Sequence, residues 1–250
     1  MVIPLFKSHY SIGRSVLTLE KKGSHKNGPS SIIDICSEND LKEIFLVEDS
    51  MGGFLEAYLN LKEIGASLRF GLRITVCADL SVKNEESLSK QSKVIIFANN
   101  RDGYKEMIKI YSLAAKDGFY YEPRTDFNSL KSHWSEKNLT LAVPFYDSFL
   151  FKNSLRSSLC LPDFSFCSPV FFTEDNGLPF DSILKRLIKD YAEGKYEILK
   201  AKSIFYKDRQ DFKSFLSFKC INKRSTLDKP EMEHMSSDEF SFESWKTQNV

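Results

Sequence analysis

Histidine and carboxylate side chains are the residues of this chain whose chemistry suits a metal ion that activates water. Its four histidines are His9, His25, His133 and His234, and an acidic pair, Glu48-Asp49, follows a predicted strand. Because the histidines lie far apart in the sequence, only the fold could bring them together with carboxylates as metal ligands. An isolated histidine is more often a surface or structural residue than a ligand, so the histidines alone do not predict a site.

The sequence motifs of several common enzyme classes are absent from the chain. No G-x-x-x-x-G-K-[ST] is present, which excludes a phosphate-binding P-loop, and no G-x-G-x-x-G follows a predicted strand. The chain also has no G-x-S-x-G nucleophile turn and no H-E-x-x-H zinc motif. Local motifs therefore assign no catalytic activity.

The composition narrows the class of protein. The 250 residues carry 35 Lys and Arg against 34 Asp and Glu, a formal net charge of +1. This balance excludes a strongly basic protein that wraps nucleic acid and a protein with an acidic tail. The five cysteines are odd in number and lack C-x-x-C spacing, and we find neither a signal peptide nor an apolar run of membrane-spanning length. We expect a cytoplasmic protein with reduced cysteines and no contact with membranes.

Predicted strands and helices alternate along the whole chain. The expected strands are near 2–6, 43–47, 68–77, 93–98, 139–143, 168–173 and 197–206. The expected helices begin near 30 and after Gly52-Gly53, and then cover 101–116, 126–134, 180–191 and 209–221. We expect a loop over 80–92 and irregular structure over the last thirty residues. Such alternation predicts a single α/β domain with a mostly parallel sheet, either a barrel or doubly wound.

Four segments occur in an order that resembles the polymerase-and-histidinol-phosphatase (PHP) domain of bacterial DNA polymerase III alpha subunits. They are residues 5–11, 46–49, 71–76 and 97–104, of which the last contains the specific pattern A-N-N-x-x-G-Y. Segments at 204–212, 226–228 and 236–240 are similar to the last strand and closing segment of that family. The resemblance implies a distorted parallel β/α barrel of the PHP type over 1–225. It leaves 226–250 as a C-terminal extension that packs on the barrel or is partly disordered.

The resemblance also implies where a metal site would lie. Active members hold a metal cluster at the C-terminal ends of the strands and hydrolyse phosphoesters, in polymerases as a 3′–5′ exonuclease. The family's ligand positions fall here on Leu5 and Lys7 (H-x-H), Arg14 (Asp), Asp49 and Ser50 (T-D-H), Arg73 (G-x-E), and Ser203 and Phe205 (D-x-H). Asp49 alone keeps a ligand type, with His9 and Glu48 as residual candidates beside it. Because cationic side chains repel divalent ions, we expect no catalytic residue, no bound metal and no cofactor.

Two arrangements of these side chains are open at this point. In one, Lys7 and Arg73 form ion pairs with Glu48 and Asp49 that replace the metals and keep the barrel closed. In the other, the same side chains point into solvent, where ion pairs contribute little.

Two functions follow from different classes of protein. The first is a catalytically degenerate PHP-like domain that acts as a structural or accessory module of a replicative DNA polymerase. Because acidic polymerase motifs are absent, its partner would be a separately encoded polymerase core or another replication protein, for example of a phage, with DNA contacted through that partner. The alternative is a metal-dependent phosphoesterase or 3′–5′ exonuclease with rearranged ligands, in which His9, Glu48, Asp49 and His133 hold zinc, manganese or iron.

Overall fold

A computed structural model describes residues 2–24, 28–155, 159–227 and 237–249 of the chain. In these ranges the strands are β1 (Ile3–Phe6), β2 (Glu43–Glu48), β3 (Ser67–Cys77), β4 (Gln91–Ala98), β5 (Arg124–Asp126), β6 (Leu139–Val143), β7 (Val170–Thr173) and β8 (Glu197–Ile204). The helices are α1 (Ile32–Glu38), α2 (Phe54–Glu63), α3 (Glu85–Ser89), α4 (Arg101–Lys116), α5 (Phe127–Ser132), α6 (Phe149–Leu155), α7 (Asp181–Ala192), α8 (Phe212–Lys223) and α9 (Phe242–Asn249). None of the described helices has the length and apolar character that a membrane span requires.

Seven of the strands close into a barrel. The ring runs β1, β2, β3, β4, β6, β7 and β8, and it closes where β8 pairs with β1. Neighbouring strands are parallel except at β4, which is antiparallel to both β3 and β6. The short β5 lies outside the ring and pairs with the end of β3. The predicted α/β fold, a distorted parallel β/α barrel of the PHP type, is confirmed.

The alternation of side chains along the strands separates two layers of core. Inward-facing residues fill the barrel and form one apolar cluster, which comprises Leu5, Val47, Ile95, Phe97, Ala142, Phe172 and Ala201. Gly71 also faces inward, and a Cβ atom there would lie 2.6 Å from the ring of Phe97. The outward-facing residues of the strands pack under the helices, where α4 contributes Met107, Ile110 and Ala114.

The A-N-N-x-x-G-Y pattern marks the start of α4 for a physical reason. The side-chain Oδ1 of Asn100 accepts hydrogen bonds from the backbone amides of Asp102 (3.0 Å) and Gly103 (2.9 Å), which caps the helix. Gly103 lies so close to a neighbouring loop that a Cβ atom would be 2.1 Å from the carbonyl oxygen of Asn138. Only glycine fits this contact without a shift of the backbone.

The described part of the C-terminal extension packs on the barrel. Residues 237–249 are joined to the chain after β8 by hydrogen bonds between the backbones of Phe205 and Phe240 and of Tyr206 and Phe242. The indole Nε1 of Trp245 donates to the carbonyl oxygen of Val2 at 2.9 Å. Because Phe240 and Phe242 belong to the buried core, this segment completes the domain. Residues 228–236 and 250 lie outside the described residues.

The sequence prediction was wrong in several local features. The expected loop 80–92 contains α3 and the first residues of β4, α9 lies in the tail that was expected to be irregular, and β5 and α6 were not predicted. The helical spacing of Leu55, Tyr58 and Leu59 on α2 is typical of a buried face, but these side chains are exposed. The helix instead buries Ala57, Asn60 and Leu61, because the Asn60 side chain turns inward and donates to the carbonyl of Leu19 at 2.7 Å.

Substitution of Gly103 by alanine should destabilise the fold. Replacing an exposed glycine inside a helix by alanine normally raises the free energy of unfolding by about 1 kcal/mol. Here the added methyl group meets a backbone carbonyl, so we expect a loss of about 1–3 kcal/mol. The measurement is the free energy of unfolding in urea, with Ser112→Ala on the exposed side of the same helix as control. Unchanged or increased stability of Gly103→Ala would contradict the contact.

Candidate functional site

The candidate site lies at the end of the barrel where the parallel strands finish, which we name the mouth. Two neighbouring cavities that open to solvent lie at this end. Both cavities are lined by Arg14 and Arg73. Active sites of such barrels are built at this end, so the side chains around these two cavities define the site.

Asp49, the first residue after β2, is surrounded by cations. Its Oδ1 accepts hydrogen bonds from Lys7 Nζ at 3.0 Å and from Arg73 Nη1 at 2.9 Å. Its Oδ2 lies 4.0 Å from Arg14 Nε. The other side of the Arg73 guanidinium is hydrogen-bonded to the carboxylate of Asp147, which follows β6. The mouth is thus closed by a network of ion pairs that joins the ends of β1, β2, β3 and β6.

Burial and the neighbouring charges shift the pKa values of the ion-pair network in opposite directions. Burial acts to raise the pKa of Asp49, but Lys7, Arg73 and Arg14 outweigh it and hold the pKa well below its ordinary range. Burial likewise acts to raise the pKa of Asp147, which Arg73 and Arg14 keep low. Burial lowers the pKa of Lys7, and Asp49 opposes that shift. Both carboxylates are therefore ionised at neutral pH and serve as counter-charges for the cations.

Glu48 does not form the ion pair that was expected of it. Successive residues of a strand face opposite sides, so Glu48 points away from Asp49. Its carboxylate accepts hydrogen bonds from the backbone amide of Ser8 (2.8 Å) and from the Ser11 hydroxyl. The side chain is completely buried, and this burial raises its pKa. Glu48 fastens the loop after β1 to β2 and takes no direct part in the ion-pair network.

A second pair extends the network on the side of β3. Lys93, near the start of the antiparallel β4, contacts the carboxylate of Glu122 at 2.6 Å and the hydroxyl of Thr75. The same hydroxyl of Thr75 donates to Glu122 at 2.8 Å. Burial acts to raise the pKa of Glu122, but Lys93 outweighs it and the pKa is lowered. This pair places another cation and its counter-charge at the mouth.

Ser203 lies at the mouth and is hydrogen-bonded to a buried carboxyl group. Its backbone amide and its hydroxyl both lie 2.8 Å from the carboxyl oxygens of Glu174, the residue after β7. The Asn176 side chain also donates to Glu174, at 2.8 Å. Glu174 is only 4% exposed, and burial raises its pKa. These bonds satisfy the carboxyl group within the protein and join the ends of β7 and β8.

The remaining predicted positions supply no metal ligand. Leu5 belongs to the apolar filling of the barrel. Phe205 stacks on Phe215 and Phe240 with ring centroids 5.6 and 5.1 Å apart. The hydroxyl of Ser50 accepts a hydrogen bond from the backbone amide of Gly52 at 3.1 Å, within its own loop.

Neither of the two described histidines, His9 and His133, belongs to a metal-ligand group. His9 is exposed and its ring lies against that of Tyr10, with centroids 4.5 Å apart. His133 ends α5, where Nδ1 lies within hydrogen-bond distance of Ser129 and Ser132. His25 and His234 lie outside the described residues. Over the described ranges, no three His, Cys, Asp or Glu side chains are grouped as a metal site.

The donor set does not fit the metal cluster that the family resemblance implies. The carboxylate that keeps a ligand type, Asp49, already faces the cations Lys7, Arg14 and Arg73. A divalent ion would have to displace these groups and would be repelled by them at distances of a few ångströms. The residues at this site therefore do not fit a bound metal cluster.

Sequence reasoning missed Asp147, Glu174, Lys93 and Glu122. A usable signal existed for the first two, because Glu174 directly follows a predicted strand of a parallel barrel and Asp147 lies four residues after the end of another, which places both near the mouth. The position of Lys93 depended on the direction of β4, and Glu122 lies in a loop before a strand that was not predicted. Neither could be placed without the topology.

Removal of the central carboxylate should destabilise the protein. Asp49→Ala leaves Lys7 and Arg73, whose side chains are 8% and 9% exposed, without their shared counter-charge. We expect a loss of about 3 kcal/mol, because breaking a buried pair leaves uncompensated charge. Chemical denaturation measures it, with Glu63→Ala as control, since that carboxylate pairs with Lys21 at the surface. Equal and small effects of the two substitutions would contradict a buried network.

The contribution of Asp49 should also depend on pH in one direction. Its pKa is lowered in the folded protein, so the stabilisation is present above the unfolded pKa of about 4 and is lost as pH falls below it. The difference in free energy of unfolding between wild type and Asp49→Ala should therefore be largest near pH 7 and shrink in acid. A difference that stays constant or grows from pH 6 to pH 2.5 would contradict the assignment.

Comparison with known proteins agrees with the barrel fold. The PHP domain family profile matches residues 24–153, more than half of the chain. DNA polymerase III subunit alpha of Helicobacter pylori is 29% identical over 84 residues, which is 34% of this chain and 7% of that protein. The alpha subunit of Borreliella burgdorferi is 28% identical over 113 residues, 43% of this chain and 10% of that protein. The aligned part is thus a small fraction of these relatives, and on its family match and its closed barrel the chain belongs to the PHP domain family.

Proposed function

We propose that this protein is a catalytically degenerate PHP domain that serves as a structural or accessory module of a replicative DNA polymerase. The observation that carries the proposal is the contact of Lys7 and Arg73 with Asp49 at the mouth. In this family the mouth would hold hydrolytic metals, whereas here side-chain cations lie against Asp49, the one family ligand position that keeps a ligand type. A site arranged in this way supports a binding or bracing role better than it supports hydrolysis.

The network supplies what a structural module needs. Ion pairs and hydrogen bonds connect the segments after β1, β2, β6 and β7 with β3 and β8. Metal ions bound at this end of a barrel would tie the same loops together. Since the ion pairs are internal to the chain, the barrel is held closed without dependence on a metal supply.

The link to replication rests on the relatives. Those named above are DNA polymerase III alpha subunits, and the aligned region covers 7% and 10% of them. The resemblance to this part of the alpha subunits supports a role together with a polymerase core. In this proposal DNA is contacted through that core, and the module needs no cofactor of its own.

Association with a polymerase tests the accessory role. The full chain, co-expressed with the alpha-type polymerase core encoded in the same genome, should co-elute with it at a fixed ratio in size-exclusion chromatography. The chain should also raise the thermal stability of the core, because binding stabilises the folded state by mass action. Separate elution of the two proteins at micromolar concentration would exclude the proposed module.

Elemental analysis tests the proposed loss of catalysis against the metal-dependent alternative. Protein purified without chelators should contain less than one equivalent of zinc, manganese or iron, and should release no nucleotide from a 3′ DNA end. As a control for contaminating nuclease, Asp49→Asn should give the same background. Several equivalents of metal together with nuclease activity that Asp49→Asn abolishes would establish the phosphoesterase function instead.

A further inference from the structure

Arg14 is the cation of the mouth whose charge is least engaged. Lys7 and Arg73 contact Asp49 at 3.0 and 2.9 Å, whereas the guanidinium of Arg14 approaches it only to 4.0 Å. No hydrogen bond from this guanidinium to another described residue is present, and its side chain is 40% exposed. Since it lines both cavities, Arg14 has donors available toward the open side of the mouth.

The cations in the group around Arg14 outnumber the carboxylates with which they form ion pairs. The cations Lys7, Arg14 and Arg73 share two ionised carboxylates, Asp49 and Asp147. The nearby Lys93 is matched by Glu122, and Glu48 acts on Lys7 without forming an ion pair with it. Within ion-pair distance, three cations thus share two carboxylates, and a guanidinium binds a carboxylate with two parallel hydrogen bonds.

The segments next to this arginine carry exposed apolar side chains. Ile12 is 71% exposed and is separated from Arg14 by Gly13, which lies against the Asn222 side chain; the residue before Asn222, Ile221, is 75% exposed. On the other side Tyr10 is 40% exposed and its ring packs against Gly53 at the start of α2, two residues before the exposed Leu55. We name Tyr10, Ile12, Leu55 and Ile221 the apolar rim.

We infer that Arg14 and the apolar rim form a docking site for a partner protein that inserts an aspartate or glutamate side chain flanked by apolar residues. This inference rests on the proposed function and names the surface through which the module contacts its polymerase core. The partner's carboxylate binds the guanidinium of Arg14, and its apolar neighbours cover the rim. Interfaces of this kind combine an arginine with aromatic and aliphatic contacts at their centre.

Charge and surface chemistry favour a carboxylate over a nucleic-acid phosphate. Arg14 lies beside the ionised carboxylates Asp49 and Asp147, and these suit one added carboxylate at Arg14 but would repel a chain of phosphates. Apolar side chains such as Ile12 and Ile221 add affinity for a protein surface, whereas lysines and arginines would be expected around a bound backbone of DNA.

Variants of the full chain in the complex with the polymerase core test the site. Arg14→Gln should raise the dissociation constant by about tenfold or more, which is the effect of losing a central interface arginine. The dissociation constant of Arg14→Lys should lie between those of wild type and Arg14→Gln. Ile12→Ser should weaken binding as well. The matched controls are Arg69→Gln, an exposed arginine paired with Glu43 at the opposite end of the barrel, and Ile183→Ser on α7, 41% exposed.

The outcomes separate this inference from the proposed function. If wild type binds the core and Arg14→Gln and Ile12→Ser bind as tightly as the controls do, the docking site is wrong while the module role stands. If the wild-type chain does not bind the polymerase core, both the docking site and the proposed module role are wrong. A single-stranded dT oligonucleotide serves as the second probe: Arg14-dependent binding of the oligonucleotide, with no effect of Arg14→Gln on the complex, would assign the site to nucleic acid and overturn the inference.

Discussion

A single carboxylate shared by several cations is the interaction on which the mouth of this barrel depends. Burying a lysine or arginine costs several kcal/mol unless a carboxylate lies within hydrogen-bond distance. Lys7 and Arg73 are almost completely buried, and Asp49 meets both at about the same distance. Asp147 then accepts a hydrogen bond from the other side of the Arg73 guanidinium. Without the two carboxylates, Lys7 and Arg73 would be buried charges with no counter-charge, so the network exists as a unit.

The barrel topology explains why these groups meet. β3 has eleven residues, and it pairs with β2 only as far as Leu72 before it turns to β5 at Thr75. The chain leaves β2 at that height, which places Asp49 beside Arg73 in the opening between the two strands. Because β4 runs antiparallel to β3, its first residues lie at the mouth, and Lys93 is one of them. Charge accumulates there because strand ends of both directions converge.

Much of the fold could be predicted from the sequence, and the site only in part. The limits of α4 at 101–116 follow from its amphipathic spacing and the Asn100 cap, and the family resemblance places Arg73 at the mouth together with Asp49. Glu48 was misassigned because adjacency in sequence was taken for adjacency in space, although neighbours on a strand face opposite sides. Glu122 and Lys93 depend on long-range pairing and on the direction of one strand, which local patterns do not encode.

The side-chain network retains one property of a metal centre and lacks another. A cluster of divalent ions holds acidic groups together by its positive charge, and ammonium and guanidinium groups at the mouth do the same for Asp49 and Asp147. A metal also lowers the pKa of a bound water and stabilises a leaving oxygen through open coordination positions, which a lysine or arginine does not possess. Closure of the barrel and hydrolysis are therefore separable, and a sequence under selection for binding alone can keep the first with residues that exclude the second. Arg14 fits this view, because a cation that closure does not require is free to face a partner.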